Sequence, residues 1–209
     1  MAMLELGAIE LRGRAVTLRP LVATDAPALS RAASESRDSY GFTPVPDGLE
    51  QTQAYIARAL RARERGERYA FAIEWRGRIV GSTSYVDYQP WSWPEGCDLQ
   101  RTDRPDALEI GHTWLAASAQ RTPCNTEAKL LLLEHAFERF CVHRVTILTD
   151  ERNARSCRAI ERLGAAFEGI RRAHKPGWDG TVRNSAMYSI VASEWPGVRD
   201  RLRGLLETH

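Results

Sequence analysis

Apolar and polar positions alternate from Val16 to Leu21, as in a half-buried strand, and Thr24 followed by Asp25 can open a helix running towards Ser34. Gly41 to Gly48, with Pro44 and Pro46, reads as a loop. From Leu49 to Arg65 the period becomes helical, with Tyr55, Ile56, Ala59 and Leu60 on the apolar side. Tyr69 to Glu74 and Arg78 to Tyr85 flank a tight turn at Arg76 and Gly77, which predicts a hairpin. Gln89 to Asp106 has no period and carries Pro90, Trp91, Trp93, Pro94, Gly96 and Pro105, so a long loop is expected there, and such loops are often functional.

Strand and helix patterns then interleave. Strands are expected at Ala107 to Leu115, Arg144 to Thr149, Ala166 to Arg171 and Arg183 to Val191, the last two joined through the turn Lys175 to Gly180. Helices are expected at Asn125 to Phe140, Ala154 to Leu163 and Glu194 to Leu206. No repeat, low-complexity tract or linker divides the chain. The economical reading is one domain over 1–209, an α+β (mixed α/β) fold with a partly parallel sheet covered by helices.

Composition narrows the function classes. Hydrophobic residues are 43% and charged residues 27% of 209, as in globular chains. Apolar runs such as Leu130 to Leu133 are far too short to span a bilayer. The start, Met1 to Leu11, carries Glu5 and Glu10 and lacks a basic, then apolar, leader, so a cytoplasmic setting is expected. The 29 basic residues, 27 of them Arg, nearly balance 27 acids, which argues against nucleic acid as a partner. Cys97, Cys124, Cys141 and Cys157 form no C-x-x-C pair and the histidines no H-x-x-x-H spacing, so neither a zinc site nor disulfides are expected.

The informative region is Glu109 to Gly164. Asn125 is available to cap the helix starting at Thr126, whose Leu130, Leu133, Ala136, Phe137 and Phe140 would face the sheet. A helix start after a strand and a short loop offers free N–H groups and a positive dipole end, which suits a pyrophosphate, although a simply capped core helix has the same geometry. Asn153 is a good N-cap for the next helix and Gly164 a good terminator. Ser156 lies in that helix's first turn, where a hydroxyl can point into the cleft.

The segments EIGHTWL at 109–115, QRTPCNTEAKLLLLEHAFE at 120–138 and TDERNARSCRAIERLGA at 149–165 resemble the GNAT acetyltransferases of the RimJ/RimL type, and the likeness runs from Leu18, Arg19 and Pro20 through Tyr188 and Trp195. The resemblance implies a mostly antiparallel mixed sheet with one splayed parallel pair and helices on both faces. It implies acetyl transfer from acetyl-CoA, as cosubstrate, to an amine, with no metal, and leaves a homodimer open. Carried onto this chain, Leu115 and Ala116 would offer backbone groups to pantetheine, Gln120, Arg121, Thr122, Pro123, Cys124, Asn125 and Thr126 would surround the pyrophosphate, Asn153 would touch the pantetheine arm, and Ser156 would lie near the sulfur. Two positions depart from the family pattern. The pyrophosphate loop has no glycine, which leaves Asn125 as the residue best able to adopt a left-handed conformation, and the position of a common tyrosine acid is Ile160. The resemblance to the RimL-like branch implies that the acid role, where a side chain has it, would pass to Ser156.

Chemistry sets the rest. An ammonium must lose a proton before it attacks a thioester, and Glu109 or an ordered water would serve as base, Asp87 and Asp106 being weaker candidates. A backbone N–H near Leu115 would face the oxyanion. His112 reads as a wall residue. Tyr40, Phe42, Trp91, Trp93 and Trp178 either line an acceptor pocket or pin the long loop, and the arginines would suit an anionic acceptor. A non-catalytic acyl-CoA-binding or interaction protein is the alternative function.

Overall fold

A computed structural model describes residues 7–101 and 103–208. Part of the leader expectation, Glu5 included, lies outside them. The elements are β1 (Leu11–Arg12), β2 (Val16–Pro20), α1 (Ala26–Ala33), α2 (Gly48–Glu64), β3 (Arg68–Trp75), β4 (Arg78–Gln89), β5 (Ala107–Leu115), α3 (Cys124–Glu134), β6 (Arg144–Asp150), α4 (Ala154–Leu163), β7 (Ala166–Pro176), β8 (Val182–Val191) and α5 (Trp195–Glu207). The eight strands form one mixed sheet in the order β1-β2-β3-β4-β5-β6-β8-β7, in which only β5 and β6 run parallel. The larger differences from the expected elements are that β1 is new, β4 runs on to Gln89 and β7 to Pro176, and the helix expected over Asn125 to Phe140 gives way after Glu134 to a wider π turn at His135–Arg139.

Helices cover both faces, and the period of two along β4 shows how. Ser82 receives the Tyr55 hydroxyl of α2 at 3.2 Å, whereas Tyr85, three residues on and so on the other face, donates to the Leu132 carbonyl of α3 at 2.5 Å. α1 and α2 therefore lie on one face, and α3, α4 and α5 on the other. Between sheet and helices Leu18, Phe71, Ile73, Tyr85, Ile110, Leu132, Leu133 and Ile190 are buried. Among the described residues no helix is long and apolar enough to cross a membrane, no metal-binding cluster occurs, and all four cysteines are unpaired.

Candidate active site

The parallel pair is short. Ala107, Leu108 and Glu109 face Arg144, Val145 and Thr146, and there the pairing stops, so β5 from Ile110 to Leu115 stays bonded to β4 while β6 continues to Asp150 beside β8. The parting coincides with a bulge: between the pairs Ser82 with Trp114 and Ser84 with Gly111, β5 carries two residues against one on β4. One of the two, His112, takes φ +51, a left-handed conformation that a histidine adopts at some cost. The bulge turns β5 away from β6 and leaves a V-shaped opening at the strands' carboxyl ends.

α3 and α4 begin on either side of that opening. α3 starts at Cys124 with Pro123 at the N-cap, two residues before the expected cap Asn125, which lies inside the first turn. The left-handed residue of the glycine-free loop is Arg121, φ +59, in place of Asn125. Thr122 donates to the Ala119 carbonyl and accepts from the Cys124 N–H at 3.2 Å, and Pro123 has no N–H. The Cys124 side chain is buried, which pushes its thiol up to about 12, so it packs and does not react. The donors left at this helix start are the Asn125 and Thr126 N–H groups, with Arg121 exposed beside them. At α4 the Asn153 side chain accepts from the Ser156 N–H at 3.1 Å and Gly164 closes the helix at φ +99. The Ser156 hydroxyl has no hydrogen-bond partner among the described residues. Ile160 is buried in the core.

On the β5 side the Ala116 N–H donates to the Val80 carbonyl at 2.6 Å, so it is not free for a ligand. Backbone alternation then turns the Leu115 N–H towards the opening. The Leu115 carbonyl is taken by Gln120 at 2.8 Å and by the Tyr40 hydroxyl at 2.9 Å. Tyr40, expected either to line an acceptor pocket or to pin the long loop, is thus a buried residue that holds the end of β5. Across the mouth Arg155 of α4 donates to Gln120 at 2.9 Å and to the Ser39 carbonyl at 2.8 Å, tying the two sides together. Phe42 lies under the Arg152 guanidinium, 4.8 Å away, beside the same mouth.

Glu109 and His112 share the α2 face. A Cβ on Gly111 would sit 2.9 Å from the Glu109 carboxylate and 3.3 Å from Val86, so glycine is needed for that side chain to lie where it does. Burial raises the Glu109 pKa, Asp87 adds to the rise, and Lys175, Arg183 and Arg171 oppose it. His112 is exposed to solvent on one side, while the protein behind it and the nearby Arg68, Lys175 and Arg183 push its pKa down, so the ring is neutral at pH 7.

Trp91 and Trp93 settle the question of the long loop. Asp106, 3% exposed, accepts from the Trp91 N–H at 2.7 Å and the Trp93 indole at 2.8 Å, and both rings pack 5.4 Å from His143. The cluster sits where β5 and β6 begin and pins the loop, so neither tryptophan faces the opening and Asp106 is an anchor in place of a base. Asp87 accepts from Gln89, and Trp178 is exposed in the β7–β8 turn.

One buried group escaped the pattern reading. Lys129, 4% exposed, donates to Thr113 at 2.7 Å next to the bulge, Thr113 also meets Thr83 at 2.8 Å, and burial lowers the lysine to about 7. A helix buried nearly all round, as the Leu130–Leu133 run signals, leaves no wet side for it.

The model of the acetyltransferase (GNAT) domain family matches residues 15–166, most of the chain. The chain belongs to the GNAT acetyltransferase family. It is similar to a protein from T. thermophilus assigned as an acetyltransferase, at 34% identity and TM-score 0.78 over 94% of this chain and 96% of that one. Its fold is also that of a GCN5-related N-acetyltransferase from Brucella melitensis (24% identity, TM-score 0.79, covering 96% and 86%). The same holds for Mycobacterium smegmatis RimJ in complex with CoA-disulfide (22%, 0.74, covering 95% and 93%). No functionally curated protein is detectably similar in sequence.

Proposed function

We propose that this GNAT protein transfers an acetyl group from acetyl-CoA to a primary amine by direct attack, with both substrates bound together. The observation that carries the reading is the end of β5–β6 pairing at Glu109 and Thr146, with the starts of α3 and α4 flanking the gap. The group fits the residues present. The Asn125 and Thr126 N–H groups and Arg121 would hold the pyrophosphate, and Asn153 the pantetheine arm, which leaves the Leu115 N–H for the acyl oxygen. The CoA-disulfide bound to M. smegmatis RimJ supports a CoA ligand in this fold. Acetyl-CoA supplies an activated acyl group; the chain supplies the rest. Glu109 takes the ammonium proton, directly or through water, and the cations around it disfavour another positive charge and so favour the neutral amine. The Leu115 N–H faces the charge developing on the acyl oxygen, and Ser156 gives a proton to the departing sulfur. A cytoplasmic setting suits acetyl-CoA and free thiols.

Release of CoA across a panel of free amines, dipeptides and N-terminal peptides tests the reading. Acetyl-CoA is expected to raise the melting temperature, by about 2.7 kcal/mol of stability at a hundredfold excess over Kd, with much less from pantetheine. Equal effects from both would refute the phosphate assignment. Binding without turnover on any amine would make the protein an acyl-CoA-binding module.

A further inference from the structure

Beside His112 on the α2 face lies an open cavity of about 550 Å³, walled by Arg58 and Arg61 of α2, by Arg65 just past its end, and by Arg68 of β3. The one carboxylate on its wall, Glu67, is held by Arg65 in a two-point contact at 2.8 Å. Elsewhere arginines commonly have acid partners, as Arg19 has Asp25 and Glu74, Arg152 has Asp150 and Asp179, and Arg203 has Glu134. Arg58, Arg61 and Arg68 form no ion pair among the described residues. Arg68 is also fixed in place: half-buried, it donates to Ser84 at 2.9 Å and to the Tyr55 hydroxyl at 2.7 Å, with its guanidinium 5.1 Å from the centre of the Tyr55 ring. Both partners are neutral. The charge is uncompensated, and the N–H groups of Nη1 are unused in a fork that matches an oxyanion.

The cavity adjoins the reacting centre. Val86 and His112 line it, and Val86 pairs with Glu109 across the β4–β5 ladder. It opens on the α1–α2 face, opposite α3, so the helix start assigned to the pyrophosphate does not reach it. We infer that this cavity is a subsite for an oxyanion group, a carboxylate or a phosphate, carried by the acceptor, so that the preferred substrate is an anionic amine. The inference rests on the acetyltransferase reading, with the amine presented at Glu109 and the anion seated between Arg68, Arg58 and Arg61.

The test uses the full chain and three matched dipeptide amides, alanyl-glutamyl, alanyl-glutaminyl and alanyl-phosphoseryl. At low salt the glutamyl or phosphoseryl substrate is expected to show kcat/KM at least tenfold above the glutaminyl one, through KM, and the larger of the two ratios identifies carboxylate or phosphate. In Arg61→Glu, an exposed change that leaves the sheet contacts intact, the ratio should fall towards one; Arg68→Gln should do the same. Calorimetric titration of the corresponding N-acetyl dipeptides needs no turnover and should show the same order of affinity, weakened by salt. Equal affinity for charged and neutral peptides, or a ratio unmoved by Arg61→Glu, overturns the inference. Absence of turnover with acetyl-CoA failing to bind would count against the acetyltransferase reading, and the titration would still decide the anion subsite.

Discussion

Replacing the buried Lys129 by Met should make the protein more stable at neutral pH. The amine loses its water and gains a single neutral partner, Thr113, so its pKa falls from 10.5 to about 7 in the folded chain. Above pH 10.5 both folded and unfolded forms are neutral and the residue costs nothing. As pH falls from 10.5 to about 7 the unfolded chain binds a proton that the folded one does not, so stability falls with pH; below about 7 the full cost is present. At 1.36 kcal/mol per tenfold, that gap is worth about 5 kcal/mol, of which about 4 is present at pH 7 where the folded amine is half protonated. Met is of similar length and unbranched, and it forfeits only the hydrogen bond to Thr113, about 1 kcal/mol. Thr113 keeps Thr83 as a partner. The variant should therefore gain about 3 kcal/mol at pH 7, and the gain should vanish and slightly reverse near pH 10.5. Urea unfolding of both proteins from pH 6 to 10.5, followed by tryptophan fluorescence, measures it. A difference that does not change with pH, or a variant less stable at pH 7, would refute the reasoning.

Glu109→Gln should lower kcat/KM by about 10² and abolish the acid limb of the pH profile, because the wild-type base works only as carboxylate and its activity is lost as pH falls through its raised pKa. Asn153→Ala should cost about 1 kcal/mol in thermal unfolding through the lost cap and also raise the Kd for acetyl-CoA. Ser156→Ala should leave stability and acetyl-CoA affinity nearly intact and lower kcat by about 10², the low end for acid catalysis because a thiol with pKa near 8.5 leaves readily; an unchanged single-turnover rate would make water the donor. Asp106→Ala should cost about 2 kcal/mol or more in urea unfolding by orphaning the Trp91 and Trp93 N–H groups, and leave the KM for acetyl-CoA unchanged.

Where structure depends on neighbours in the chain, the linear order of residues is enough to specify it. Alternating apolar positions set β5 at Ala107 to Leu115, the Arg76–Gly77 turn set the β3–β4 hairpin, and Asn153 with Gly164 bounded α4 at Ala154 and Leu163. Caps, turns and periods act over a few residues, so a linear reading finds them. The family resemblance placed the cleft between the right two strands. Partners far along the chain settled the rest. The bulge at His112 lies where β5 stays bonded to β4 and parts from β6, and nothing in EIGHTWL marks the residue that takes φ +51. The left-handed turn fell to Arg121 because Asn125 was drawn into the first turn of α3. Trp91 and Trp93 were bound to Asp106 and His143 through contacts that span the loop, and Lys129 was enclosed because α3 is covered on almost every side. Which arginines lack an acid is likewise a question of what the fold brings near: Arg58, Arg61 and Arg68 stand among acids in the chain, yet folding leaves them facing one cavity with Glu67 already taken.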